Sequence, residues 1–193
     1  MIHTTEGTLT ERQEARRGRI LAATAELANS GGFDAVQMRE VADRANVALG
    51  TLYRYFPSKV HLLLAALHDR LTLLHETLRE RPPTEPTPGG RVASTLLRAF
   101  RALQREPHLA EAMLRALHSA GRAASPDVDE VSRLTTTIIV DAMSPTEPHP
   151  AAVRVIEHTW HATLITWLAG RATIPQVHQD IETACRLADL PPQ

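Results

Sequence analysis

The sequence predicts an all-α protein of about nine helices, and three observations carry that prediction. Apolar residues recur at steps of three and four through most of the chain. Val, Ile and Thr nowhere alternate with polar residues over a strand-length window. Proline and glycine are clustered at 82–90, 107, 121–126, 145–150 and 175, which cuts the helical pattern into segments. The resulting helices fall at about 10–29, 37–44, 48–55, 58–80, 89–105, 107–120, 127–143, 149–170 and 175–189.

Taken in order, the first helix buries Ile20, Ala23, Thr24 and Leu27 and is expected to stop at Asn29-Ser30-Gly31-Gly32, where glycine can adopt the left-handed conformation that ends a helix. The second and third helices are short. Met38, Val41 and Ala42 point inward from the second, Asn46 accepts the positive φ of a sharp turn, and Val47 fills the corner. Leu52 and Phe56 anchor the third helix. The fourth starts at Ser58, a residue suited to capping, and runs a stripe of Val60, Leu63, Leu64, Leu67, Leu71, Leu74 and Leu78. The segment 82–90 is a Pro/Thr-rich linker. Helices five to seven offer apolar faces with Leu96, Phe100 and Leu103, then Leu109, Met113 and Leu117, then Leu134, Ile138 and Val140. Helix eight carries Val153, Ile156, Trp160, Leu164 and Trp167. Helix nine carries Val177, Ile181, Ala184, Cys185 and Leu187.

Composition sets further limits. With 193 residues, 43% hydrophobic, the chain can bury a core. No run approaches the roughly 18 apolar residues of a membrane span, and the polar first ten residues carry no secretion signal, so a cytoplasmic protein without membrane association is expected. Residues 1–9 are expected to form a disordered arm. The single cysteine, Cys185, rules out an intrachain disulfide and metal sites built from several thiolates. The formal net charge is −1, and residues 1–60 hold eight basic against seven acidic side chains. If this segment attracts phosphate, its charges must therefore be sorted by face. Arg12, Arg16 and Arg19 are spaced to share one.

The informative stretch is 32–59, GFDAVQMREVADRANVALGTLYRYFPSK. Packing of Leu52 and Phe56 leaves Leu49, Gly50, Thr51, Tyr53, Arg54 and Tyr55 largely facing outward. Two tyrosines beside an arginine and a glycine suit a helix laid in the major groove of DNA. Gly50 permits close approach, Arg54 can pair with guanine edges, Tyr53 can pack on thymine methyls, and hydroxyls can meet phosphates. Lys59, in the first turn of the next helix, and the free N–H groups there both attract a phosphate.

These residues resemble the DNA-binding domain of the TetR family, in the run Gly50-Thr51-Leu52-Tyr53-Arg54-Tyr55-Phe56-Pro57-Ser58-Lys59 and the Gly-aromatic pair before it. The resemblance implies a helix-turn-helix DNA-binding domain at 10–57 and a helical ligand-binding and dimerisation domain at 58–190. It places Gly50, Tyr53 and Arg54 near bases and Thr51, Tyr55 and Lys59 on phosphates. The chain departs from the family pattern at Gln37 and Ala48, where Thr or Ser commonly caps a helix and touches the backbone; losing each cap costs about 1 kcal/mol. The contact set is then Gln37, Leu49, Gly50, Thr51, Tyr53, Arg54, Tyr55 and Lys59. The runs at 35–67 and 105–117, with the His/Trp-rich helix at 158–167, also resemble the actinobacterial repressors of cholesterol and steroid catabolism. That likeness implies a coenzyme A thioester of a sterol-derived acid as effector.

For such a hydrophobic effector the expected walls are Leu67, Leu71, Phe100, Met113, Leu117, Ile138 and Thr159. A homodimer is expected to form through helices eight and nine, with Trp160, Leu164, Trp167, Ile181 and Cys185 at the interface, so that two recognition helices read a palindromic operator. No cofactor, metal site or catalytic residue is expected. His158 and His161 lie outside any His-Glu-x-x-His motif, and His61, His68 and His75, seven apart, read as a solvated or interface stripe. A helical enzyme or carrier for a hydrophobic acyl compound is the alternative, and a helical adaptor a third; neither accounts for an outward Tyr53-Arg54-Tyr55.

Overall fold

The computed structural model describes residues 11–145 and 150–190. Among them are nine α-helices, two short 3-10 segments and no strand. The helices are α1 (Glu11–Ala35), α2 (Met38–Arg44), α3 (Leu49–Tyr55), α4 (Lys59–Glu80), α5 (Pro88–Arg105), α6 (Pro107–Ser119), α7 (Ser125–Met143), α8 (Pro150–Leu168) and α9 (Ile174–Cys185). The all-α prediction holds. The expected N-terminal arm and the predicted helix starts at 10 and 149 lie outside the described residues.

The first helix departs most from expectation. It passes Asn29, breaks at Gly31-Gly32, and resumes as a last turn ending at Ala35. Gly31 is extended, and only Gly32 has positive φ, at 68° with ψ −156°, a region essentially reserved for glycine. The cause is a long-range contact rather than a local cap. A Cβ on Gly32 would sit 2.7 Å from Glu111 Oε2 on α6. The same oxygen accepts the Phe33 N–H at 3.1 Å.

Sharp local chemistry fixes the other ends. Asn46 takes φ 51° between α2 and α3, as its residue type predicts. The Ser58 hydroxyl does not cap the α4 backbone but meets His61 Nδ1 at 2.9 Å. Thr87 accepts from Gly90 N to cap α5, and Thr173 with Gln176 forms a capping box on α9. Arg91 donates to the carbonyls of Glu85, Pro86, Ala142 and Met143, tying the 81–87 linker to the end of α7.

One core joins α1–α4 to α6 through Ile20, Leu27, Val41, Leu52, Leu62, Leu63, Leu109 and Met113. A second gathers α5, α7, α8 and α9 around Phe100, Ile139, Ile156, Leu164 and Ile181. Each such side chain contributes about 1.5–3 kcal/mol on burial. Helix α4 packs on α6 and α7, whereas α5 packs on α7 and α9, so α4 and α5 diverge and a gap opens between them. Along the α4–α7 seam, His61 faces Asp127 at 3.9 Å, His68 faces Glu130 at 3.4 Å, and His75 faces Asp141 at 2.6 Å. The seven-residue histidine spacing is therefore an intrachain interhelical row.

Candidate functional site

Two regions of the molecule carry chemistry beyond its own folding. The first is the α2–α3 unit. Leu52 is fully buried and Phe56 nearly so, which turns the opposite side of α3 to solvent. Gly50, Tyr53 and Arg54 are exposed, Tyr53 at 47%, a large apolar surface for a ring that the fold could have covered. A Cβ added to Gly50 would meet nothing within 4 Å, so the fold itself does not require glycine there. Thr51, Leu49 and Tyr55 are only half-buried, and the last two lean on the core, so they face outward less than expected. Exposed Gln37 precedes α2 without capping it; its Nε2 donates to Asp34 O at 2.9 Å. Ala48 likewise offers α3 no side-chain cap.

The charges around this unit are sorted. Arg17 forms a bidentate pair with Asp69 on α4, at 2.9 and 2.8 Å. Arg44 lies near Glu40 and Glu26. Arg19 turns away from the face expected for it and donates to Ala45 O. Arg12, Arg16, Arg39 and Arg54 have no acidic partner among the described residues, so positive field remains on a segment of nearly zero net charge. Lys59 differs from expectation. Its Nζ donates to Phe33 O at 3.3 Å and stands 4.1 Å from the Phe33 ring centroid. Arg115 of α6 approaches the same ring at 4.6 Å and pairs with Asp34 at 2.9 Å. This places Lys59 in the joint between the N-terminal helices and α6.

The second region is a cavity of about 480 Å³ at the α4–α5 gap. Leu67, Leu71 and Leu74 of α4, Leu109, Met113, Leu114 and Leu117 of α6, and Val131 of α7 make its walls apolar. Arg70, Arg98, Arg101 and Arg105 line it too. Arg70 is held by Glu106 at 2.7 Å and Arg98 donates to Arg81 O. Arg101 and Arg105 have no partner among the described residues and are exposed, which puts cationic charge at the opening. On the side away from α4, Trp160, His161 and Leu164 of α8 line the cavity. Burial holds the His161 pKa below the usual imidazole value, against the opposing pull of Glu157.

Of the residues expected to bind an effector, Leu67, Leu71, Met113 and Leu117 line this cavity. Phe100 does not: it is fully buried, edge-on to Trp167 at 5.0 Å. Ile138 lies in a small core with Leu78 and Leu134 and borders a separate cavity of about 260 Å³. Thr159 is half-buried on α8 and lines neither. The expected dimer residues also need correction. Trp160, Leu164, Ile181 and Cys185 are buried by their own chain, and half-buried Trp167 packs on Phe100. Burial pushes the Cys185 thiol up to about 12. The large apolar side chains that α8 and α9 do present to solvent are Val155, Ile165 and Ile174. Arg101, Arg105 and His161 were absent from the sequence-based set. For the two arginines the signal is the spacing of 98, 101 and 105, which puts three cations on one side of α5.

Among the described residues no three His, Cys, Asp or Glu side chains group as a metal site, and no helix is long and apolar enough to cross a membrane.

Comparison with known proteins gives a consistent picture. Residues 20–66 match the family model described as bacterial regulatory proteins, tetR family, and residues 86–188 match tetracyclin repressor-like, C-terminal domain. The chain is 43% identical over 180 residues to the HTH-type transcriptional repressor KstR of Mycobacterium tuberculosis, covering 92% of this chain and 82% of that protein. It is 44% identical over 178 residues to the KstR of Rhodococcus jostii, covering 91% and 83%. A TetR transcriptional regulator from Rhodococcus sp. RHA1 superposes with a TM-score of 0.85 at 38% identity, over 92% of this chain and 97% of that one. FadR of Thermus thermophilus, solved with lauroyl-CoA, shares the fold with a TM-score of 0.70 at 19% identity, over 89% and 92%.

Proposed function

The chain belongs to the TetR family of bacterial DNA-binding transcriptional regulators, and on that premise we propose that it is a repressor whose dimer binds a palindromic operator and is released by a steroid-derived acyl thioester of coenzyme A. The observation that carries this reading is the cavity, with an apolar interior and unpaired Arg101 and Arg105 at its opening. An acyl-CoA has the same polarity, a hydrophobic acyl group joined to a strongly anionic nucleotide. Arginine suits the phosphates because its planar fork donates two hydrogen bonds at once. The relatives named as repressors support the regulatory half, and fold neighbours solved with lauroyl-CoA and stearoyl-CoA support the ligand class.

In this reading α3 enters the major groove, Arg54 and Tyr53 meet base edges, and Gly50 lets the helix approach the backbone closely. Gln37, Leu49, Thr51, Tyr55 and Lys59 frame that contact, with Lys59 first leaving Phe33. The segment 10–57 reads DNA in the cytoplasm while 58–190 binds the effector and the second copy. Dimerisation uses the outward side of α8 and α9, where Val155, Ile165 and Ile174 are exposed. Effector release follows from α6. Its Met113 and Leu117 side borders the cavity, while its Glu111 and Arg115 side grips Gly32, Phe33 and Asp34. A ligand that favours a displaced α6 disfavours the DNA-binding arrangement by the same free energy.

The test is fluorescence anisotropy of the dimer on DNA from its own promoter, titrated separately with a sterol-derived acyl-CoA, the free acid and coenzyme A. Release by the thioester alone at low concentration supports the proposal. Equal release by the free acid removes the role given to the arginines, and absence of sequence-specific DNA binding removes the repressor reading.

A further inference from the structure

The hollow beside Ile138 is separate from the effector cavity, and its lining has a chemistry of its own. It encloses about 260 Å³ between the C-terminal ends of α4 and α7 and the start of the 81–87 linker. Among the described residues Leu78 alone lines both hollows. Leu78, Ile138 and Ala142, all buried, make the floor apolar, and Pro82 and Pro83 add to the wall. Arg91 ties this frame together. It donates to Glu85 O and Pro86 O of the linker and to Ala142 O and Met143 O at the end of α7. Those bonds also satisfy carbonyls at the negative end of the α7 dipole, which would otherwise repel an anion. Asp141, the one acid in the lining, is engaged by His75 at 2.6 Å. Arg79 and the Ser144 hydroxyl are exposed and have no hydrogen-bond or ionic partner among the described residues.

We propose that this hollow is a second ligand site, taking a small hydrophobic carboxylate distinct from the effector. Its volume matches roughly nine non-hydrogen atoms, each filling about the space of one water, ~30 Å³. A steroid or a coenzyme A thioester is too large for it. The apolar floor receives the hydrocarbon body, and the carboxylate faces the rim. There the Arg79 guanidinium offers paired N–H donors that match two carboxylate oxygens, and the Ser144 hydroxyl is a further donor. An apolar interior with a few polar groups that fix orientation is the usual build of a small-molecule site. The inference does not rest on the acyl-CoA reading, because Arg79, Ser144 and Ile138 lie outside the effector cavity.

Benzoate, a carboxylate of about this size, is the probe, followed by methyl NMR on the full-length protein with labelled isoleucine and methionine methyls. Ile138 borders only the small hollow and Met113 only the large one. Titration is expected to move the Ile138 signal to saturation and to leave Met113 in place. Arg79→Gln should weaken binding roughly tenfold or more, as loss of a hydrogen bond to a charged group does, and Ser144→Ala by a few-fold. Both residues are exposed, so the fold should survive either change, which circular dichroism checks. Benzamide, of the same shape but uncharged, should bind the parent protein several-fold more weakly than benzoate. A shift at Met113 without one at Ile138 would place benzoate in the effector cavity and overturn the inference. So would the absence of a saturable shift at Ile138, undiminished benzoate affinity in Arg79→Gln, or equal affinity for benzamide. None of these outcomes bears on release from DNA by an acyl-CoA, so the two readings fail separately.

Discussion

Replacing Gly32 by alanine tests the joint between the DNA-binding head and α6. The substitution brings two costs that can be read from the geometry. An L-residue at φ 68°, ψ −156° is strained by about 1–3 kcal/mol. The new Cβ would also lie 2.7 Å from Glu111 Oε2, so the carboxylate must move and the Phe33 N–H bond to it is weakened or lost. A hydrogen bond to a charged group contributes about 1.5–3 kcal/mol. Together these give a loss of about 3 kcal/mol or more, which for a chain of this length lowers Tm by roughly 6–12 °C. Thermal unfolding followed by circular dichroism measures the shift. Adding Glu111→Ala separates the two parts: in that background the alanine at 32 should cost only its backbone strain, and the non-additivity reports the contact. A Gly32→Ala protein melting within about 1 °C of the parent would refute the assignment of the α1 break to this contact.

The remaining predictions concern the head, the core and the cavity. Arg54→Ala should lose about 1–3 kcal/mol of preference for operator over random DNA while sedimenting as the parent does; normal operator binding would show that α3 is not the reading helix. Gly50→Ala should stabilise the fold by about 1 kcal/mol, since alanine favours a helix and meets no neighbour, yet weaken operator binding in an anisotropy titration. Unchanged DNA affinity would mean that no backbone approaches Gly50. Cys185, buried with its thiol pushed up to about 12, should resist iodoacetamide at pH 8 until the protein unfolds; rapid labelling of the native dimer would contradict its burial. His161 holds its proton less tightly in the folded chain than in the unfolded one. Stability should therefore be lost as pH falls below the ordinary imidazole value of 6.5 toward the lower folded-state value, and His161→Phe should flatten that part of a stability–pH curve.

Local chemistry made the helices and the α2–α3 turn legible. Asn46 announces its positive φ, Leu52 and Phe56 their burial, and the prolines their helix starts, because each effect acts within a turn or two of chain. Gly31 and Gly32 were equally readable as a break, but the turn that follows them depends on Glu111, nearly eighty residues away. The same limit explains the dimer residues. Spacing shows that Trp160 and Leu164 share a face of α8, but not that α5, α7 and α9 cover it. Because α8 is apolar on more than one side, periodicity could not assign Val155 and Ile165 to the surface instead. Leu67, Leu71, Met113 and Leu117 emerged from apolar stripes that do line the cavity. Arg101, Arg105 and His161 did not emerge, because only the divergence of α4 from α5 gives a charged residue on α5 a hollow to border.

The three contacts between α4 and α7 tighten with distance from the head, from 3.9 Å at His61 through 3.4 Å at His68 to 2.6 Å at His75. Sliding α4 along its axis would part all three together. The seam is thus tightest where α4 is farthest from the head, while the head end of α4 is held instead by the core it shares with α1 and α6 and by Arg17 on Asp69.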